Sequence, residues 1–157
     1  MSTNNHVPHT PLDREWIAQR IPHQFDMCLL DAVRHWSPEA IECEALLEGL
    51  GTHPLRAVDG GVGAVNAVEY AAQAMAVHGA LVTGTNDAPK AGYLASVRGV
   101  NLHVDTIAAS DAPLRVCAER LSGDDRNVLY AFRVDGARGA VADGRAAVVL
   151  DAGEGHV

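Results

Sequence analysis

No apolar run in the chain approaches the roughly 20 residues of a membrane-spanning helix. The opening stretch "MSTNNHVPHTPLDREW" also lacks the basic start and apolar run of an export signal. Both absences lead to the expectation of a cytoplasmic protein that is neither exported nor inserted in a membrane. Cysteines are few: Cys28, Cys43 and Cys117 are an odd number at wide spacing, which excludes a disulfide framework and the paired spacings of zinc or redox motifs. They read as reduced thiols. Positive charge is scarce too, with 12 Lys and Arg against 20 Asp and Glu and a formal net charge of -8. A general affinity for nucleic acid or anionic membrane is thereby excluded, and any acidic partner must dock on a local basic patch. Internal repeats and low-complexity blocks are missing apart from the Gly-rich end "DAGEGHV".

What is present is enough for one core. At 157 residues and 16.6 kDa a single domain buries sufficient surface to fold without metal or disulfide. The expected organisation is a flexible tail over 1–12, one domain over 13–152 and a flexible tail over 153–157. "PLDREWIAQRI" reads as a short helix with Asp13 and Glu15 in its first turn, where the helix dipole favours acids. "MCLLDAVRHW" and "AIECEALLE" read as a strand hairpin about Ser37-Pro38. Residues 62–82 carry the one long helical pattern. Four further strands follow in "AGYLASVRGVNLHV", "LRVCAERLSG", "VLYAFRVDG" and "GRAAVVLDA", divided by turn-rich pieces such as "SGDDRN" and "DGARG". One helix among six strands leaves too few crossovers for a parallel sheet, so the class is α+β, an antiparallel sheet curved around a single buried helix.

The helix is apolar over most of its circumference, through residues such as Val65, Val68, Ala72 and Met75, as in a helix buried nearly all round. Against that background Asn66, Glu69 and Gln73 fall at i, i+3 and i+7, one polar stripe. A buried carboxylate either finds donors or holds its proton near neutral pH. Both states suit a catalytic acid, but from the helix pattern alone a satisfied structural network or a solvated stripe is the favoured reading.

The segments "IPHQFDMCLLDAV" and "HPLRAVDGGVGAVNAVEYAAQAMAVHGAL", with the closing strands, resemble hotdog-fold 3-hydroxyacyl-[acyl carrier protein] dehydratases, most closely the aryl polyene and specialised lipid branch. The likeness spans roughly residues 20–152, and its most specific elements are the His-Pro of "HPLR" and the run "EYAAQAMA". Two features differ from the fatty-acid-synthesis members: a longer loop between His53 and Glu69, and Gly63 where a proline precedes the helix. The resemblance implies that His53 and Glu69 perform the dehydration, His53 as base and Glu69 as acid. The backbone N–H groups of Gly63, Ala64 and Val65 are expected to polarise the thioester carbonyl, as donors at a helix N-terminus. Asn66 and Gln73 are placed behind the catalytic pair, Gln73 either orienting it or serving as a core amide bonded to backbone. No metal and no cofactor is implied. The implied partners are an acyl carrier protein bearing the substrate on phosphopantetheine, and a second hotdog subunit, identical or different. A hotdog thioesterase and a non-catalytic hotdog subunit are the alternatives.

Other residues weigh less. His23 in "IPHQF" reads as structural, and His78 as a core or interface histidine. His103 has no second ligand at metal spacing. "DGGVGAVN" lacks the last glycine and the preceding strand of a dinucleotide fingerprint. Arg98, Arg115, Arg120 and Arg133 fall on strands and read as mostly solvated, one or two of them being available to a phosphate.

Overall fold

Leu114, Val116 and Ala118 are buried while Arg115 and the following Glu119 are exposed, the period-two signature of a strand with one covered face. A computed structural model shows where those faces meet; it describes residues 12–19, 28–47, 61–83, 92–124 and 126–150. The chain runs β1 (Leu12–Asp13), α1 (Arg14–Ala18), β2 (Ala32–Trp36), β3 (Ala40–Ala45), β4 (Val62–Gly63), α2 (Ala67–Thr83), β5 (Gly92–Leu102), β6 (Thr106–Ile107), β7 (Leu114–Gly123), β8 (Asn127–Gly136) and β9 (Gly139–Leu150). Among the described residues two 3₁₀ turns, Ala64–Asn66 and Ala109–Asp111, interrupt it. The main sheet is antiparallel in the order β1-β2-β3-β7-β8-β9-β5, and β4 pairs separately with β6.

The inner face is set by register. Ile41, Ala118, Phe132 and Gly144 lie side by side in one row, and Cys43, Val116, Val134 and Ala142 in another. Gly144 is there for space: a Cβ at that position would lie 3.0 Å from the Phe132 ring and 3.2 Å from Val100 Cα. Onto these rows packs α2, whose Ala67, Tyr70, Ala71, Ala74, Met75 and Val77 are buried in the common core. Alanine at so many contact positions lets the helix axis approach the sheet closely. The α+β architecture expected from the sequence is present.

Several boundaries differ from expectation. The main sheet has seven strands and not six, because Leu12–Asp13 adds a two-residue edge against β2 before α1 begins. Asp13 lies outside the first turn of α1 as its N-cap, its Oδ1 accepting from the Trp16 N–H at 2.9 Å. Only 32–36 of "MCLLDAVRHW" is strand. Cys28, Leu29 and Leu30 are instead buried irregular chain. The helix starts at Ala67 and not at Val62, since 62–63 pair with β6. Of the expected tails 1–12 and 153–157, only Leu12 is among the described residues, where it belongs to β1.

One buried carboxylate ties the connections together. Asp111 accepts from Arg138 Nε at 2.8 Å and Nη2 at 3.0 Å, a bidentate pair, and from the Ala108 N–H at 2.8 Å. Its carbonyl accepts from the Ala137 N–H at 2.8 Å, so the 3₁₀ turn before β7 is locked to the β8–β9 hairpin. The hydrogen bonds from Arg138 hold the Asp111 carboxyl below the usual carboxylate range. A carboxyl depressed in the folded state stabilises the fold above its unfolded pKa of about 3.9, and that contribution fades as pH falls through the folded value. Asp111→Asn is expected to cost about 1–3 kcal/mol at neutral pH, for charged hydrogen bonds weakened or lost. The gap to the parent protein should narrow below about pH 4, read by urea unfolding at both pH values.

Candidate active site

The entry to α2 is fixed by backbone bonds. Val62 and Gly63 pair with Ile107 and Thr106, and the Ala64 N–H donates to the Asp105 carbonyl at 2.9 Å. The Asn66 side-chain amide folds back to donate to the Gly63 carbonyl at 3.1 Å. The stripe read from the sequence is therefore broken at its start: Asn66 sits in the 3₁₀ turn and serves that turn, not Glu69. The three expected carbonyl-polarising donors do not stand equivalent at a helix N-terminus either. Gly63 belongs to β4, the Ala64 N–H is already bonded, and Val65 is 61% exposed. Glu69 follows in the first turn of α2, half-buried, where the dipole favours a carboxylate.

Further along, the buried polar groups of α2 are matched. Gln73, 1% exposed and one turn past Glu69, accepts from the Leu29 N–H through Oε1 at 2.8 Å. Its amide thus serves the backbone, the core-amide reading, and anchors the irregular segment 28–30 against the helix. His78 is 1% exposed, with Nε2 at 2.8 Å from the Ser37 carbonyl and Nδ1 at 2.8 Å from the Tyr130 hydroxyl. A carbonyl only accepts, so Nε2 carries the proton and Tyr130 donates to Nδ1. Burial pushes the His78 pKa down and the Tyr130 hydroxyl up to about 12. His78 is a core histidine. Glu69 differs from both: no hydrogen bond or ion pair joins its carboxylate to any described residue. Tyr70 beside it is buried, and burial raises its hydroxyl to about 12, which keeps it neutral.

His53 and His23 lie outside the described residues. His103 does have a carboxylate, supplied across the sheet by Asp143, whose Oδ2 is 2.7 Å from Nε2. Asp143 Oδ1 also accepts from Asn101 at 2.9 Å. Among the described residues no cluster of three His, Cys, Asp or Glu is arranged to hold a metal. A cavity of about 580 Å³ opens by Trp36, Ile41, Cys117, Ala131 and Phe132, and none of the expected site residues lines it. Of its charged lining residues, Glu42 lies 3.7 Å from Arg115 and Arg133 lies 2.8 Å from Asp135. Sequence reading missed Leu29, Tyr130 and Asp143 as partners; each acts across 40 residues or more, where local spacing carries no signal.

The family model described as ApeP-like, ApeP dehydratase, matches residues 15–153. The chain belongs to the ApeP-like dehydratase family. This bears out the resemblance to hotdog-fold dehydratases of the aryl polyene branch. Among solved structures the fold is shared with the dehydratase heterocomplex ApeI:P of Xenorhabdus doucetiae, at 22% identity over 87% of this chain and 91% of that one, TM-score 0.77. A thioesterase of Haemophilus influenzae matches at 12% identity over 95% and 98%, TM-score 0.64. Another, from Staphylococcus aureus, matches at 11% over 76% and 91%, TM-score 0.57. No curated protein sequence matches the chain. The hotdog fold is common to all of these, dehydratase and thioesterase alike, so the fold by itself does not choose the reaction.

Gln73→Leu is expected to keep the volume but leave the Leu29 N–H buried and unpaired, costing about 1–3 kcal/mol in urea unfolding. A variant as stable as the parent would show that the amide does not anchor segment 28–30.

Proposed function

We propose that the chain removes water from a 3-hydroxyacyl thioester carried on an acyl carrier protein, giving the trans-2-enoyl thioester in a fatty-acid-like or aryl polyene pathway. The observation that carries this reading is Glu69: Gln73 and His78 on the same buried helix are each bonded, whereas Glu69, at the helix's first turn, makes no hydrogen bond or ion pair among the described residues. The dehydratase family match over 15–153 supports the reaction class.

In the proposed step, neutral His53 takes the C2 proton and the C–H electron pair moves toward the thioester carbonyl as an enolate. That pair then returns, the C2–C3 double bond forms, and the C3–O bond breaks as the hydroxyl takes a proton from Glu69 and leaves as water. His53 is then protonated and Glu69 ionised, and a proton returned from one to the other resets the site. An imidazole with an ordinary pKa of about 6.5 suits the base, and the base and acid together titrate as a coupled pair. With the Ala64 N–H bonded to Asp105, the backbone donors left for the enolate oxygen are those of Gly63 and Val65.

The site is proposed to lie between two hotdog subunits. β5 is an edge of the main sheet and carries the exposed apolar residues Leu94, Val100 and Leu102, an edge that pairing with another subunit would cover. The Xenorhabdus structure is a heterocomplex, and this supports a second reading in which the chain supports a catalytic partner subunit.

His53→Ala and Glu69→Gln are each expected to lower the dehydration rate by about 10²–10⁴ with unchanged circular dichroism. Co-expression of the two variants should restore turnover, because a mixed dimer sharing its sites holds one intact His53–Glu69 pair. Isolated mixed dimers without turnover would sink the shared site. Full activity of a complex between the Glu69→Gln chain and a hotdog partner subunit, with none from the parent chain alone, would point to the supporting-subunit reading.

A further inference from the structure

His78 joins α2 to the sheet at two points. Its Nε2–H donates to the Ser37 carbonyl in the turn between β2 and β3, and its Nδ1 accepts from the Tyr130 hydroxyl of β8, each at 2.8 Å. The Tyr130 ring stands edge-on to the imidazole, with centroids 5.6 Å apart. The charged groups that act on this pocket are Arg120 of β7 and Glu39 of the turn. Glu69, the one charged residue of α2, is more than two turns away. From β3 the inner face brings Ile41, Cys43 and Ala45, with burial keeping the Cys43 thiol protonated, and from β9 it brings Ala142 and Ala146. The turn itself is lightly held. β1 pairs with Ala32 and Val33 alone, so the outer half of β2 has no strand on that side among the described residues, and its ladder to β3 is irregular between Val33 and His35. Beyond that ladder, the described bonds that attach the turn are one from the Arg120 N–H to the Glu39 carbonyl at 2.7 Å and the one from His78.

We propose that His78 is an acid-sensitive latch whose protonation releases the β2–β3 turn from α2. The neutral ring satisfies both neighbours, because one nitrogen donates to a carbonyl that only accepts and the other accepts from a hydroxyl that can donate. A second ring proton ends this match. Nδ1 can then no longer accept, the Tyr130 hydroxyl must turn to receive its proton, and no described residue takes the hydroxyl's own hydrogen. The added charge must also be borne in the core, where His78 is 1% exposed. Burial is the largest influence on the ring and disfavours that charge, as does Arg120; the Ser37 carbonyl and Glu39 favour it and are outweighed. The smallest movement that relieves the conflict is local: the turn lifts away and the ring takes its proton in water. His35, on the open side of β2, lies 4.0 Å from Glu42, so its own protonation tightens the hairpin and cannot release it. Trp36, Ser37, Glu39 and Ala40 line the cavity of about 580 Å³, so the latch also sets the shape of that wall. The latch acts whatever reaction the protein performs.

The test is amide hydrogen exchange of Ser37 and Ala40, read by NMR as protection factors, which remove the intrinsic pH dependence of exchange. The open form binds the proton, so acid favours it, and the closed form is most populated above the ordinary histidine pKa of about 6.5. With the closed pocket unprotonated, linkage makes the protection of these amides fall about tenfold between about pH 7.5 and about pH 5.5. Val116 and Val134, at the centre of the sheet, should keep theirs. His78→Gln can still donate to the Ser37 carbonyl but does not titrate, and should lose the pH dependence. Tyr130→Phe removes the donor that favours the neutral ring, so it should lower protection at the higher pH and shrink the fall. Protection that does not fall in the parent protein, or a fall of the same size in either variant, would overturn the proposal. Should His78→Gln fail to fold, the comparison with Tyr130→Phe decides by itself.

Discussion

The burial of α2 against one face of the sheet is the constraint on which the rest depends. A helix enclosed this way cannot leave polar groups to water, so each one must be met by the protein. Gln73 is met by the backbone of Leu29, and His78 by Ser37 and Tyr130. These bonds fix elements that the sheet ladder does not reach, the irregular chain at 28–30 and the turn between β2 and β3. The carboxylate at the helix's first turn breaks the pattern. Glu69 is half-buried and makes no hydrogen bond or ion pair with any described residue.

The entry of the helix is held as firmly as its body. The β4–β6 pairing and the bond from Ala64 to Asp105 attach the turn before α2 to the segment just beyond β5. A catalytic carboxylate gains from this, because a side chain near a pinned helix start is positioned by rigid backbone and not by a loop. The same strand, β5, is both an edge of the main sheet and the start of the connection to the helix entry.

Much of this was legible in the sequence. The strands β7 and β8 stand close to where alternation of Leu114, Val116 and Ala118, and of Val128, Tyr130, Phe132 and Val134, puts them, because one buried face enforces period two. The helix was legible as an apolar stretch, but its first residues were not: Val62 and Gly63 carry no local mark of the two-residue ladder that Ile107 and Thr106 impose from far along the chain. The polar stripe failed for the same reason, since a 3₁₀ turn rotates Asn66 off the α-helical spacing. Leu29 was read as strand because a buried apolar run looks alike in either state, and its partner Gln73 was invisible to any local rule. The glutamate itself was legible, as a carboxylate out of place on an alanine-rich helix.

The central claim is that this site expels water from a hydroxyacyl thioester. Its most direct test is the mass of the acyl group on a carrier protein after incubation with the pure protein, alone and with a hotdog partner subunit. The account predicts loss of one water with the thioester intact. Release of a free hydroxy acid would identify a thioesterase, and an unchanged acyl mass in both mixtures would contradict the claim outright.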